Sequence, residues 1–202
     1  MITVVDYGMG NLRNVRRAFE ELAQEVTVTS DPTVIAGAEQ LVLTGVGAFG
    51  EAVKRIDSLG LRAPILLHAR AGKMLLGICL GMQLLFDASE ESPGVTGLGL
   101  LPGAVKRFRG DVKVPHIGWN DATACARSPL FDEVGQGGCY YFVHSYYVPA
   151  GQSMIAATEY GIEFASAVQR ENVFGVQFHP EKSQDVGHAL LKRFLGTRRQ
   201  PA

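Results

Sequence analysis

Gly77-Ile78-Cys79-Leu80-Gly81 lies between an apolar run, Lys73 to Ile78, and a segment of helical character, Met82 to Ala88. This is the strand-to-helix turn of a nucleophile elbow, G-x-S-x-G, with cysteine in the serine position. A turn this tight drives its central residue into an unfavourable backbone region, and the two glycines remove side chains that would collide there. The nucleophile then projects from the carboxyl edge of a sheet. It also sits at a helix N-terminus, where the dipole and free N–H groups favour a thiolate. The N–H of Leu80 is placed to donate to an oxyanion. The plain alternative is a small buried hydrophobe, the reading given to Cys125 and Cys139, which lack such flanks.

A cysteine nucleophile needs a base. Of the five histidines, His68 falls in a predicted helix and His188 near the start of the last one, where surface or packing roles suffice. His179 follows a second buried run, Val173 to Phe178, and opens His179-Pro180-Glu181. In an extended segment residues i and i+2 face the same side. Glu181 can therefore lie beside the imidazole, hold its tautomer and stabilise the imidazolium. Both groups leave the sheet at carboxyl ends, where open parallel sheets bind ligands. The competing reading is a surface His–Glu pair.

Gly45-Val46-Gly47-Ala48-Phe49-Gly50 is a literal G-x-G-x-x-G after a strand and before a helix. A dinucleotide site is disfavoured, because the motif follows the third strand and Arg70 stands where an acid should lie about 20 residues on. Gly45 to Gly47 suits an oxyanion strand better, its side-chain-poor backbone presenting an N–H to a substrate carbonyl. Metal chemistry finds little support: there is no H-E-x-x-H, no aspartate-rich loop and no phosphate loop. Convergence of His116, His144 and His179 is not legible from spacing.

These groups must be held by regular elements. Ile2 to Val5 predicts a strand, Gly8 and Gly10 a turn, and Asn11 an N-cap for a helix carrying Leu12, Val15, Phe19 and Leu22. Glu25 to Thr29 and Gln40 to Leu43 predict strands separated by an Asp31-Pro32 break. Glu51 to Ile56 is helical, and Pro64 opens a further helix at its first turn. Strand, glycine turn and helix in repetition imply a parallel sheet with helices on both faces. Near-continuous apolar strands such as MLLGI agree with burial on both sides. From Gly94 to Tyr160 the runs shorten into hairpin-like strands: AVKRF, KVPHIGW, CYYFVHSYYV and MIAATEY. Val173 to Phe178 returns to a buried strand, Gly187 to Leu195 to a closing helix, and Thr197 to Ala202 to a solvated tail. The expectation is one α/β domain over residues 1–202: a mostly parallel twisted sheet flanked by helices, with an antiparallel extension in the second half.

The composition agrees. At about 150 residues per domain, 202 residues suit a single domain; 19 Lys+Arg against 20 Asp+Glu leave a net charge of −1. That balance gives no footprint for nucleic acid or an anionic membrane. Three cysteines without C-x-x-C argue against a disulfide framework, and MITVVDYG lacks the basic start of a secretory signal. A cytoplasmic setting is the expectation.

LLGICLGMQLLF around Cys79 and VFGVQFHPEKS around His179 resemble the class I (triad) glutamine amidotransferases. DYGMGNLRNV, KVPHIGWN and YYFVHSYY narrow the likeness to the glutaminase subunits of imidazole glycerol phosphate synthases, in histidine biosynthesis. The resemblance covers essentially the whole chain. It implies a class I amidotransferase (flavodoxin-like) fold, glutamine as substrate and no cofactor. It also implies a thioester at Cys79, with His179 as base then acid and Glu181 orienting it. Val46, Gly47 and Leu80 would build the oxyanion hole; Gln83, Glu91, His144, Ser145 and Tyr146 would hold the glutamine α-groups. Asn11, Asn14, Trp119 and Lys182 would face a (β/α)8-barrel cyclase subunit that receives the ammonia. Thr44 departs from the family's P-G-V-G and leaves the conformation of the oxyanion strand open. Three other readings remain: a glutaminase subunit of another synthase, a cysteine-dependent hydrolase of the dienelactone type, and a binding module with an inert cysteine.

Overall fold

The computed structural model describes residues 1–22 and 24–197. Four short strands, β1 (Ile2–Val5), β2 (Val26–Thr29), β3 (Gln40–Gly45) and β4 (Met74–Cys79), alternate with helices. These are α1 (Leu12–Glu21), α2 (Pro32–Gly37), α3 (Phe49–Ser58), α4 (Arg62–Arg70) and α5 (Leu80–Leu84). The second half adds β5 (Phe86–Ser89), β6 (Leu101–Arg107), β7 (His116–Ala124), β8 (Gly137–His144) and β9 (Tyr146–Pro149). It continues with β10 (Met154–Glu159), β11 (Glu163–Arg170), β12 (Val173–Val176), a 3-10 turn (Pro180–Lys182) and α6 (Gln184–Gly196).

The sheet runs in the order β2-β1-β3-β4-β12-β11-β10-β7-β8. The first five strands in that order are mutually parallel, and from β12 onward each neighbour is antiparallel. The expected parallel sheet with an antiparallel extension is therefore the fold. Every residue of β1 and β4 is buried. Side-chain alternation sends Ile2, Val4, Val42, Leu76 and Ile78 into one apolar cluster, against α1 and α6. Val5, Leu41, Leu43 and Leu75 enter the other, against α3 and α4. A sheet covered on both faces explains strands that are apolar without interruption.

Four local expectations change. Met82 to Ala88 is not one helix: α5 stops at Leu84 and Phe86–Ser89 becomes a strand paired with β6. The carbonyls of Leu84, Leu85 and Phe86 accept bonds from Leu98, Leu100, Leu101 and Gly99, so a continuing helix has no claim on them. The Asp31-Pro32 break is a helix start, with the Asp31 carboxylate capping Thr33 N at 2.7 Å and Pro32 at its first position. Asn11 does occupy the N-cap of α1, but its side chain makes no capping bond. Cys125 and Cys139 are exposed, not buried: they lie on the outer β7–β8 hairpin and just past β7, away from the covered half of the sheet. His68 is a packing residue, buried with Nε2 on Met74 O at 3.0 Å. The predicted tail lies, from residue 198 on, outside the described residues. No described helix is long and apolar enough to cross a membrane.

What matters for chemistry is the carboxyl edge. Gly45, Cys79 and Val176 end three adjacent strands, β3, β4 and β12, with Gly45 paired to Cys79 and Val176 to Ile78. Cys79 itself has φ 55 and ψ −111, a left-handed conformation that costs about 1–3 kcal/mol for a residue with a Cβ. A methyl at Gly81 would collide with the Leu43 carbonyl, and one at Gly77 would lie 2.7 Å from the Gly81 carbonyl carbon. Gly81→Ala should therefore lower the unfolding free energy by about 3 kcal/mol in denaturant titrations. Gly37→Ala, with nothing within 4 Å, should leave it level or raised. Equal midpoints for the two variants would contradict this account of the elbow.

Candidate active site

The elbow delivers Cys79 to the floor of a cavity of about 300 Å³. Val46, Gly47 and Leu80 lie on its walls, and Gln83, Glu91, His144, Ser145 and Tyr146 complete it. All of the positions singled out for oxyanion and substrate contacts thus converge on one hollow, with Pro115 and Val143 added. A larger hollow of about 630 Å³ near Phe86, Lys106 and Arg170 contains none of them.

His179 arrives from β12. Its peptide N–H donates to Tyr141 O at 2.9 Å, and Ser183 Oγ donates to His179 O at 2.7 Å while accepting from Tyr141 N at 3.0 Å. These bonds fix the chain as it leaves the sheet. Residues 180–182 then form a 3-10 turn in place of the expected extended segment, Pro180 fitting its first position. The turn still brings the acid to the imidazole: His179 Nδ1 lies 2.8 Å from Glu181 Oε1, and both side chains are only 1% exposed.

Burial alone would lower the His179 pKa. Hydrogen bonding and charge from Cys79 and Glu181 outweigh it, raising the value to about 10. Nδ1–H therefore donates to Glu181, which leaves Nε2, without a hydrogen-bond partner among the described residues, as the nitrogen open to Cys79. The ion pair is strong because solvent is excluded from it.

The hydrogen bonds already made limit what each pocket residue can offer. Gln83 Nε2 donates to Tyr146 O and to Gln177 Oε1, both at 3.0 Å, which leaves its oxygen as the free acceptor. Glu91 Oε2 accepts from Phe49 N at 2.7 Å, tying the pocket wall to the start of α3. His144 lines the cavity with both ring nitrogens engaged, Nδ1 on Tyr146 O at 2.8 Å and Nε2 on His116 Nδ1 at 3.0 Å. His116, His144 and His179 are neighbours in space, but no group of three metal-capable side chains forms among the described residues. Thr44 is buried within β3 opposite Ile78, two residues before the loop whose Gly47 has φ 108.

Two residues near the sulfur escaped the sequence reading. Gln177, fully buried, points Nε2 at Cys79 Sγ from 3.8 Å; its only signal was its place two residues before His179. Tyr7 is buried under Gly45, where a methyl would collide with its hydroxyl. Burial, and to a lesser degree Cys79, hold its phenol well above the ordinary range.

The four residues expected to face a partner are spread around the same edge. Asn14 and Lys182 share a groove with Glu181 and Gln184. Lys182 Nζ stands 5.5 Å from the centre of the Tyr141 ring, which meets Trp119 edge-on at 6.1 Å. Trp119 is 49% exposed and Ile117, two residues earlier on β7, 57%. Asn11 heads α1 and is half-buried.

Residues 3–197 match the family model described as glutamine amidotransferase class-I. A relative from Syntrophotalea carbinolica, named imidazole glycerol phosphate synthase subunit HisH, is 49% identical over 96% of this chain and 98% of its own. One of the same name from Thermococcus kodakarensis is 50% identical with the same coverage. Among solved structures, a glutamine amidotransferase superposes with TM-score 0.77 at 21% identity over 97% of this chain and 98% of its own. That likeness bears on the fold.

The raised His179 pKa has a direct readout. In histidine-labelled protein, NMR should find the His179 ring charged through neutral pH and losing its proton near pH 10. Glu181→Gln removes a negative charge that favours the imidazolium, so the titration should move to lower pH; Cys79→Ala should move it the same way. A wild-type titration near 6.5 that neither variant shifts would refute the coupling.

Proposed function

The chain belongs to the class I glutamine amidotransferases, and on that premise we propose that Cys79, His179 and Glu181 hydrolyse the side-chain amide of glutamine to glutamate and ammonia. The observation that carries the reading is the left-handed Cys79 at the end of β4, coupled to a buried His179–Glu181 pair. Near-50% identity to HisH subunits over almost the whole chain supports a role as the amidotransferase subunit of an imidazole glycerol phosphate synthase, in histidine biosynthesis.

The chemistry is acyl transfer in two halves. Thiolate Sγ attacks the amide carbon and the carbonyl π pair moves to oxygen, where N–H groups of Val46 or Gly47 and of Leu80 receive the charge. His179 Nε2–H protonates the departing nitrogen, the C–N bond breaks, and ammonia leaves a glutamyl thioester. Neutral His179 then takes a proton from water as its oxygen attacks the thioester. Collapse of that second adduct releases glutamate and restores the thiolate–imidazolium pair. One well-aimed oxyanion donor is worth about 3–4 kcal/mol of barrier. The free oxygen of Gln83 and the wall formed by Glu91, Ser145 and Tyr146 suit the α-amino and α-carboxylate groups of the substrate.

The exposed Ile117 and Trp119, with Val46 44% exposed at the mouth, form an apolar rim that suits docking of the synthase's other subunit. That subunit, in this reading, is a (β/α)8-barrel cyclase meeting Asn11, Asn14, Trp119 and Lys182, and the setting is cytoplasmic. The oxyanion loop turns its Val46 peptide productively only when partner and nucleotide substrate are bound. Glutamine hydrolysis should therefore rise by orders of magnitude on adding cyclase and its ligand, and Cys79→Ala should abolish it in both states. Equal rates with and without the partner would reject the gating, and ester cleavage without glutamine turnover would reject the glutaminase reading.

A further inference from the structure

The hydrogen bonds around His144 admit one arrangement of protons. Tyr146 O can only accept, so His144 Nδ1 carries a hydrogen and donates to it at 2.8 Å. In the neutral ring Nε2 is then a lone pair, so His116 Nδ1, 3.0 Å away, must be the donor. His116 Nε2 is in turn the acceptor for Asn120 Nδ2 at 3.3 Å, and that amide also donates to Glu159 O at 3.0 Å. Each link runs the same way, from β7 through β8 to the substrate pocket. The same Tyr146 carbonyl accepts from Gln83 Nε2, so the chain ends on an atom that also positions a pocket side chain.

Packing isolates the two imidazole rings from water. The His116 ring is sandwiched between Tyr160, 3.9 Å between centroids, and Phe142, 4.9 Å. Phe108 and Phe164 close around His144 at 5.3 and 5.4 Å. His116 and His144 are 3% and 6% exposed. Two rings held in so apolar a box stay neutral: burial lowers the His116 pKa to about 4 and, chiefly, that of His144 to about 3. His179, which must hold its positive charge, is close enough for that charge to disfavour a second one on His144.

We propose that His116 is a positioning residue for glutamine: by donating Nδ1–H to His144 Nε2 it locks His144 as a neutral Nδ1–H tautomer, which pins the Tyr146 carbonyl and the pocket wall. The bond also occupies the lone pair through which His144 would acquire a competing charge beside His179. The part that concerns glutamine rests on the function proposed above; the proton arrangement does not.

Two substitutions separate this role from ring packing. His116→Phe keeps a ring between Tyr160 and Phe142 but removes the donor. His116→Asn loses the ring but places an amide N–H where Nδ1 stood. In the full chain assembled with its synthase partner, His116→Phe should raise KM for glutamine about tenfold with kcat at saturation changed much less. His116→Asn should restore KM to within a few-fold of wild type despite a lower melting temperature. The reverse order, Phe normal and Asn impaired, or KM unchanged in both, would overturn the proposal. Nitrogen-15 NMR of the histidine-labelled full chain at neutral pH should show both rings in the Nδ1–H tautomer, and an Nε2–H His116 or a charged His144 would overturn it equally. A wild type that leaves glutamine intact would refute the glutaminase reading, while the tautomers would still decide the relay.

Discussion

Cys79 is held in a backbone conformation that a residue with a Cβ avoids, and the surrounding molecule is built so that it has no alternative. Its strand is paired on both sides, by β3 and β12, up to the residue before the bend or the residue itself. Its helix, α5, begins at the very next residue and packs so closely on β3 that only glycine fits at 81. Strain of this kind persists only where neighbouring structure over-determines it. Here the neighbours are the covered parallel half of the sheet, whose two apolar clusters lock β3, β4 and β12 in register. The cost of the bend is set against a sulfur that stands clear of the sheet edge, facing a hollow.

Electrostatics complete what the backbone begins. Glu181 would be expensive in so buried a place without a partner, and His179 supplies one at 2.8 Å. Hydrogen bonds and charge from Cys79 and Glu181 keep the His179 ring protonated despite its burial. Near it three further groups are held neutral: His116 and His144 by burial, and Tyr7 as an undissociated phenol. The buried His179–Glu181 pair thus stands beside Cys79, which lines the cavity. Gln177, donating toward the sulfur from 3.8 Å, belongs to that arrangement.

The chemistry was legible in the sequence where the requirement is local. Gly77-Ile78-Cys79-Leu80-Gly81 needs only its own five residues to announce a strained turn, and His179-Pro180-Glu181 its own three to pair acid with base. The parallel half was legible for a similar reason, since strands covered on both faces must be apolar throughout. What escaped depends on distant partners. Phe86–Ser89 looks helical until the carbonyls before it are taken by residues 98–101. The strand Glu163–Arg170, which joins the two halves of the sheet, carries small residues, Ala165, Ser166 and Ala167, with little strand propensity of their own. The His116–His144 bond joins residues 28 positions apart through the register of β7 on β8. No spacing rule encodes such a register.

A covalent intermediate on one particular sulfur is the claim beneath all of this. Acid quenching of the assembled enzyme during glutamine turnover, followed by digestion and mass spectrometry, should find a glutamyl group on the peptide that contains Cys79 and on neither exposed cysteine. Glutamate released at full rate with that peptide unmodified, or with the adduct on Cys125 or Cys139, would contradict it.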